Sequence, residues 1–499
     1  MEKQDLIREE HEILDFWERE QCFEKRKAQA AGRPMFRFID GPITANNPMG
    51  IHHAWGRSLK DIYIRYKFQR GYDCRCQNGF DAQGLWVEVG VEKELGFASK
   101  RDIEAYGLDK FTEHCKDRVK HFAGTITEQS KRLGQWMDWG NDYFTNTDGN
   151  VEGIWQFLKK CRDSGWLRQE YKPMPWCPRC GTSLSEHEMT GSYVQMTHDS
   201  VFFQLPVEGK DFRILVWTPT PWTLSSNVAL AVNPGIDYVK VRLKSQEAPV
   251  VLAKNAVKRL GGDKQEVLEM FKGSELVGLH YETCFNEFPT LQLIHRIVAW
   301  EDVDAEEGTG VVHIAPGCGA EDFTLGLREN LPQVMPVDDL GVFLEGFGFF
   351  SGKDSGAIAG EVFEQLQKRG KLYKAEPHEH SYPVCWRCKT PVIFRLVPAW
   401  YIATEELKPR LLAAARKVKW EPESGGRRME DWLSNMGDWN ISRKRYYGLP
   451  LPFYPCECGH LTVVGSKEEL RALAGEAVDH LKELHRPWID EIAVTCPRC

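Results

Sequence analysis

No stretch of this chain comes near the roughly 20 consecutive apolar residues that a membrane-spanning helix requires. The opening MEKQDLIREEHEILDFWERE carries charges where a secretory signal would carry an apolar core. These two absences argue against a membrane or secreted protein, and the expectation is a cytoplasmic chain with no membrane partner. Excess positive charge is lacking too. Lys and Arg number 64 against 72 Asp and Glu, a net charge of −8. That excludes a general nucleic-acid coat while leaving room for a local basic patch that meets RNA. There is no internal repeat, no low-complexity tract, no GxxxxGK[ST] phosphate loop and no GxSxG elbow, so P-loop enzymes and elbow-type serine hydrolases are set aside. Hydrophobic residues at 42% and charged residues at 27% are ordinary for a globular protein. A length of 499 residues is too great for one core.

Cysteine, in contrast, is plentiful. Fifteen cysteines in a chain expected in a reducing compartment need a reason other than disulfides. Cys74 and Cys76 alternate in a strand-like run and read as packing, as do Cys22, Cys115 and Cys161. The other four close pairs have the spacing of metal ligands. Cys177-x-x-Cys180 in WCPRCGTSLSEHE and Cys385-x-x-Cys388 in PVCWRCKTP bracket a domain-sized stretch. An inserted domain returns the chain to where it left, so a shared four-thiolate Zn²⁺ site at its base is preferred to a redox pair or two unrelated half-knuckles. Cys456 and Cys458 in CECGH, with Cys496 and Cys499 in CPRC, could close a second site around a 37-residue excursion.

Along the chain, the first helix places Leu6, Ile13, Leu14 and Trp17 on one face, which predicts a packing role. FRFIDGP predicts a buried strand ending in a turn at Gly41-Pro42. A Gly/Pro/Asn loop follows, then a helix with Leu59, Ile62, Tyr63 and Tyr66 at helical spacing, cations Arg65, Lys67 and Arg70 near its end, and Gly71 to stop it. YDCRCQNGFDAQGL predicts a second strand and turn. A strand that enters a helix N-terminus through such a loop is a place to bind phosphate, and the doubly wound α/β fold uses it. His52 and His53, where loop becomes helix, could donate to a phosphate oxygen or simply be exposed polar residues. Asp81, at a strand end, could hold an ammonium or form a turn.

From residue 191 to about 380 the runs SVFFQL, FRILVWT, YVKVRL, PVVLA and TGVVHIA predict a mostly β region. WTPTPWTLSSN concentrates Thr218, Thr220, Thr223, Ser225 and Ser226, and GTGVVHIAPGCGAED carries His313 and Asp322 on a strand end and Gly-rich turn. Such hydroxyls, a His and an Asp could position a water against an ester, or could decorate a solvated β surface. Beyond 391 the pattern is mixed, with a helix near ELKPRLLAAARKVK.

In this order, these segments resemble the class I aminoacyl-tRNA synthetases for large aliphatic amino acids, over nearly the whole chain. FRFIDGP and its loop resemble the family's opening strand and HIGH motif. NGFDAQGLWVEV is similar to GWDCHGLPVE, the two cysteine borders to those of the editing insertion, and DWNISRKRYYGLPLP to DWNISRNRFWGTPIP. The isoleucine type fits best, with the leucine and valine types as rivals. A free-standing deacylase of misacylated tRNA and a non-catalytic tRNA-binding paralogue are the readings from other classes.

The resemblance implies an α/β fold: an incomplete Rossmann-type nucleotide-binding core interrupted by a mostly β editing domain, with zinc knuckles. The borders would be 1–190 for the N-terminal helix and first half of the core, 191–384 for the editing insertion, and 385–499 for the return to the core. It implies ATP, Mg²⁺ and Zn²⁺ as cofactors, isoleucine and the acceptor end of tRNA as partners, and a monomer at full length. Gly50, His52 and His53 would serve the ATP site, and Gly41, Pro42, Asp81 and Gln83 the amino-acid site. Thr218, Thr220, Thr223, His313 and Asp322 would serve the editing site. HIGH aligns on Gly50-Ile51-His52-His53, so its first His is replaced by Gly50 and its small Gly by His52. Gln83 stands where His is usual, Trp86 replaces a Pro, and Pro219 interrupts the threonine run. No KMSKS run occurs; VGSKEEL at 464–470 and ISRKRYYG at 441–448 come too early in the family order. The expectation is therefore that these 499 residues alone do not aminoacylate tRNA, and that a hydrophobic edge of the sheet is left exposed.

Overall fold

Short parallel strands between long helices build one part of the chain, and long, mostly antiparallel strands the other. The computed structural model describes every residue except 1–4, 39–40, 244–245, 247, 261–264, 286–287 and 289–292. It divides into two units, Met1–Leu167 with Arg445–Cys499, and Arg168–Lys444.

In the first unit, Ile43–Thr44, Gly79–Asp81 and Tyr143–Phe144 form a parallel sheet with Gly79–Asp81 at its centre. Met35–Arg37 pairs in parallel with Asp73–Arg75, Phe36 opposite Cys74. Parallel pairing needs crossovers, and helices Ile51–Gln69, Leu108–Arg132 and their neighbours supply them. Phe80, Val87, Val91, Phe111, Cys115, Ile126 and Tyr447 close over one core. Within it Lys100 is buried between Glu88 and Glu92, at 2.7 and 2.6 Å. The second oxygen of Glu88 accepts the N–H groups of Tyr446 and Tyr447, each at 2.8 Å, which pins the returning segment to helix Leu85–Leu95.

Three expectations need correction here. FRFIDGP does not form a buried strand: Met35 and Arg37 are exposed and Phe36 and Phe38 half-buried, because this two-stranded ribbon has only one packed side, and Ile39 and Asp40 lie outside the described residues. The strand that feeds the loop and helix is Ile43–Thr44. YDCRCQNGFD is two strands in different sheets. The first helix, Leu6–Arg19, buries no residue. Leu14 and Trp17 pack, with the Arg65 guanidinium 4.8 Å from the Trp17 ring and 3.9 Å from that of Trp136, while Leu6 and Ile13 stay exposed. Cys74, Cys76, Cys115 and Cys161 are buried as packing residues should be.

Helix Ile51–Gln69 forms as its spacing predicts, but the apolar face does not pack. Ile51, Trp55, Leu59, Ile62, Tyr63 and Tyr66 fall along one stripe, and all are exposed, Ile51 by 90% and Trp55 by 69%. The face turned inward carries Ile64, Phe68 and a buried Arg57, which donates to Asn78 and Gln135 at 3.1 and 2.9 Å.

In the second unit the five strand-like runs all become strands. A six-stranded sheet runs Gln265–Lys272, Asp237–Leu243, Val250–Ala253, Arg213–Thr218, Tyr193–Pro206, Leu372–Pro383, antiparallel except where Val250–Ala253 meets Arg213–Thr218. A three-stranded sheet sets Ala229–Val232 between Arg296–Ala299 and Val311–Ile314. Both contribute to one core with Val216, Leu230, Tyr238, Val251 and Phe350. The Tyr238 hydroxyl crosses that core to donate to the Gly310 carbonyl at 2.7 Å. Gly310, at φ +68°, approaches Ala253 so closely that a Cβ would stand 2.3 Å from the alanine methyl, so only glycine closes this corner. A four-stranded sheet, Trp439–Asn440, Ile393–Ile402, Leu167–Cys177 and Thr182–Ser183, carries the first cysteine knuckle at its end.

Candidate functional site

Strand Arg213–Thr218 stops before Pro219, and Pro221 opens the 3-10 turn Pro221–Ser226, so the backbone folds back and brings three threonines together. The Thr218 hydroxyl lies 3.3 Å from that of Thr220 and accepts the Thr220 N–H at 3.1 Å. Thr223 Oγ1 lies 3.4 Å from Thr220 Oγ1, donates to the Thr220 carbonyl at 2.8 Å, and meets His313 Nε2 at 2.8 Å. His313 reaches it from strand Val311–Ile314, whose partner Ala229–Val232 pairs Leu230 with His313. Asp322 stands in the first turn of helix Ala320–Arg328 and accepts the Ala315 N–H at 2.7 Å. All five predicted residues line one cavity of about 360 Å³.

Electrostatics at this cavity follow from enclosure. Burial pulls His313 down to about 4, so the ring is neutral at physiological pH. Burial pushes Asp322 up to about 6 in spite of the Ala315 N–H, so at neutral pH it is a carboxylate held in poor solvent. Such an anion is completed by a cation such as an ammonium. Trp217 and Trp300 form apolar walls, and Asp302, Asp304 and Glu307 add carboxylates to the lining. Sequence reasoning missed these five. The run AWEDVDAEEG carried the acidic signal, but only the fold brings it beside the threonine turn.

The first unit's candidate residues lie on the strand–loop–helix. Gly50 is the N-cap of helix Ile51–Gln69; its N–H donates to His53 Nδ1 at 3.2 Å and its carbonyl accepts the His53 N–H at 3.0 Å. His52 is exposed, its ring centroid 3.9 Å from that of His53. Burial first, and the His52 ring second, lower His53. Asp81 accepts the hydroxyls of Thr44 at 2.9 Å and Thr145 at 3.3 Å at the strand end. Gln83 donates to the Thr145 carbonyl at 2.7 Å and its other amide atom meets His485 Nε2 at 2.9 Å. Gly41 is exposed and Pro42 half-buried, just before strand Ile43–Thr44.

Both cysteine quartets assemble. The sulfurs of Cys177, Cys180, Cys385 and Cys388 lie within 4.8 Å of one another, as do those of Cys456, Cys458, Cys496 and Cys499. Tetrahedral Zn²⁺ with ligands at about 2.3 Å sets sulfurs about 3.8 Å apart. The Cys177–Cys388, Cys180–Cys388, Cys456–Cys499 and Cys458–Cys496 separations of 3.4, 3.6, 3.5 and 3.8 Å fit that geometry. The Cys180 N–H also points at Cys177 Sγ, at 3.4 Å. Beside the first quartet, Glu188 binds Arg387 and Arg443, tying both knuckle arms to the DWNISR segment. No helix among the described residues is long and apolar enough to cross a membrane.

Comparison with known proteins identifies the family of the chain. The family described as tRNA synthetases class I (I, L, M and V) matches residues 12–496. An isoleucine–tRNA ligase of Streptomyces avermitilis is 40% identical over 99% of this chain and 48% of that protein. One of Pyrococcus furiosus is 38% identical over 97% of this chain and 49% of that protein. The chain thus spans about half the length of the curated relatives it matches. Among solved structures, the LeuRS of an Agrobacterium radiobacter K84 ternary complex with tRNA and LeuAMS overlaps 80% of this chain and 52% of that chain, at 14% identity and a TM-score of 0.31.

Proposed function

The chain belongs to the class I tRNA synthetases (I, L, M and V), and from that premise we propose that it serves as an isoleucine–tRNA ligase whose residues 191–384 are an inserted editing domain. The first unit would take part in activation, in which the isoleucine carboxylate attacks the α-phosphorus of ATP and pyrophosphate leaves. The acyl group then passes to the terminal adenosine of tRNA. Mg²⁺ would neutralise phosphate oxygens there. Asp81, oriented by Thr44 and Thr145, would hold the amino-acid ammonium beside Gly41 and Pro42. Gln83 would act by holding the Thr145 loop. Gly50, His52 and His53, at a helix N-terminus, would face the phosphates.

Isoleucine and valine differ by one methylene, worth about 1–3 kcal/mol of discrimination. A hydrolytic second sieve supplies the rest. The observation that carries this reading is the convergence of Thr218, Thr220, Thr223, His313 and Asp322 on one cavity. Asp322 would grip the ammonium of misacylated Val-tRNA, and Thr218, Thr220 and His313 would hold the ester and the attacking water. The two cysteine quartets would hold structural Zn²⁺, the first clamping the base of the insertion. The test is discharge of Val-tRNA and Ile-tRNA by the purified chain. Val-tRNA is expected to be hydrolysed at least about tenfold faster, a difference of about 1.4 kcal/mol; equal rates, or none, would overturn the reading.

A further inference from the structure

In the cavity read above as the editing site, on which reading this inference rests, we propose that Thr223 is a positioning residue. It fixes His313 as the Nε2–H tautomer, so the ring has a bare Nδ1 and no Nε2 lone pair with which to take a proton.

Thr223 Oγ1 is 2.8 Å from the Thr220 carbonyl oxygen and 2.8 Å from His313 Nε2, and its hydroxyl has a single proton to share between them. If the proton points to the carbonyl, Oγ1 must accept from Nε2–H. Two hydrogen bonds form, and Nδ1 is left as a lone pair. If the proton points to Nε2, one bond forms, the Thr220 carbonyl loses that donor, and Nδ1 must carry the ring's hydrogen. Nδ1 is shielded from solvent and has no hydrogen-bond partner among the described residues. An orphaned buried N–H is the costlier outcome, since orphaned donors are rarer in folded proteins than under-used acceptors. The first arrangement therefore prevails by one hydrogen bond and by the avoidance of a stranded donor.

A doubly protonated ring is opposed as well. It would strand the same Nδ1–H and place a charge where burial favours the neutral form. The carboxylates of Asp302, Asp304, Glu307 and Asp322 share the cavity lining, yet burial is the sole cause resolved for the His313 shift. His313 then acts by shape and as a neutral wall. Proton transfer during ester hydrolysis must use other groups.

The experiment is nitrogen NMR of the ¹⁵N-histidine-labelled 499-residue chain, beside Thr223→Val and Thr223→Ser. A His313→Gln spectrum assigns the signal. For the wild type a bare Nδ1 and protonated Nε2 are expected, unchanged between about pH 6 and pH 8. Thr223→Val keeps the side-chain shape and removes the hydroxyl. It should mix the tautomers, and Thr223→Ser should restore the single wild-type ring pattern. A wild-type Nδ1–H signal, a ring that titrates in that range, or a valine variant with the wild-type ring pattern would overturn the proposal. A wild type that shows the expected pattern but discharges no Val-tRNA would sink the editing reading and leave the tautomer assignment standing. Dispersed spectra and an unchanged melting temperature guard against misfolding of the valine variant.

Discussion

Asp322→Asn separates the electrostatics of the cavity from its chemistry. Burial raises Asp322 from 3.8 to about 6, and each pKa unit is worth about 1.4 kcal/mol. The full shift corresponds to about 3 kcal/mol, and water at the half-buried residue screens part of it, leaving about 1–3 kcal/mol. Below about pH 3 the carboxyl is protonated both folded and unfolded, so wild type and variant differ little. As pH rises from about 3 to about 6 the unfolded chain ionises first while the folded carboxyl keeps its proton, and the wild type loses stability. Asparagine never ionises, and its carbonyl can still accept the Ala315 N–H that Asp322 accepts at 2.7 Å. The variant should therefore gain about 1–3 kcal/mol over wild type at about pH 7.5 and almost nothing at about pH 3, read by calorimetry of the second unit's transition. Its Val-tRNA discharge should fall by about 10–100-fold, the worth of a charge-assisted contact. A stability gap that is the same at both pH values would refute the burial argument. An undiminished discharge rate would refute the ammonium-binding role.

Metal analysis should find about two zinc equivalents per chain, as two all-cysteine sites require. Cys177→Ser and Cys458→Ser should each release one; a single equivalent in the wild type would leave one quartet as thiols only. Lys100→Met should cost about 3–5 kcal/mol, because it leaves Glu88 and Glu92 buried without their cation, and a urea midpoint near wild type would show the triad to be dispensable. Glu188, pushed up by burial but pulled down further by Arg443, the Ser185 N–H and Arg387, ends at about 2. Its contribution is full above the ordinary glutamate range and lost as pH falls towards 2. Glu188→Gln should consequently flatten the acid limb of the stability profile, and an unaltered limb would contradict the assignment. Trp55→Ser, on the exposed stripe, should shift stability by no more than about 0.5 kcal/mol, whereas Phe68→Ala, on the buried side of the same helix, should cost about 3–5 kcal/mol.

Much was legible from residue order alone. The five β runs of the second unit became strands because β-branched and aromatic residues in short runs can only be buried from a pleated sheet. The four C-x-C and C-x-x-C pairs announced their metal-like grouping, since local spacing already turns two thiols the same way. Helix Ile51–Gln69 was readable from its period, but its apolar stripe turned out to face solvent: periodicity reveals that two faces differ, while which face is buried depends on what packs there. FRFIDGP misled for the same reason, since an apolar run says nothing about how many sides of a ribbon are covered. The threonine turn and the His313 and Asp322 segment were each recognisable, about ninety residues apart in the chain. Their meeting was decided only by the pairing of Ala229–Val232 with Val311–Ile314, which sets His313 2.8 Å from Thr223. Sequence determined which side chains could do chemistry, because residue type fixes what a group can donate, accept or ligate. Tertiary structure decided their protonation, since burial and distance, which shift His313 and Asp322, exist only once the sheets have closed over them.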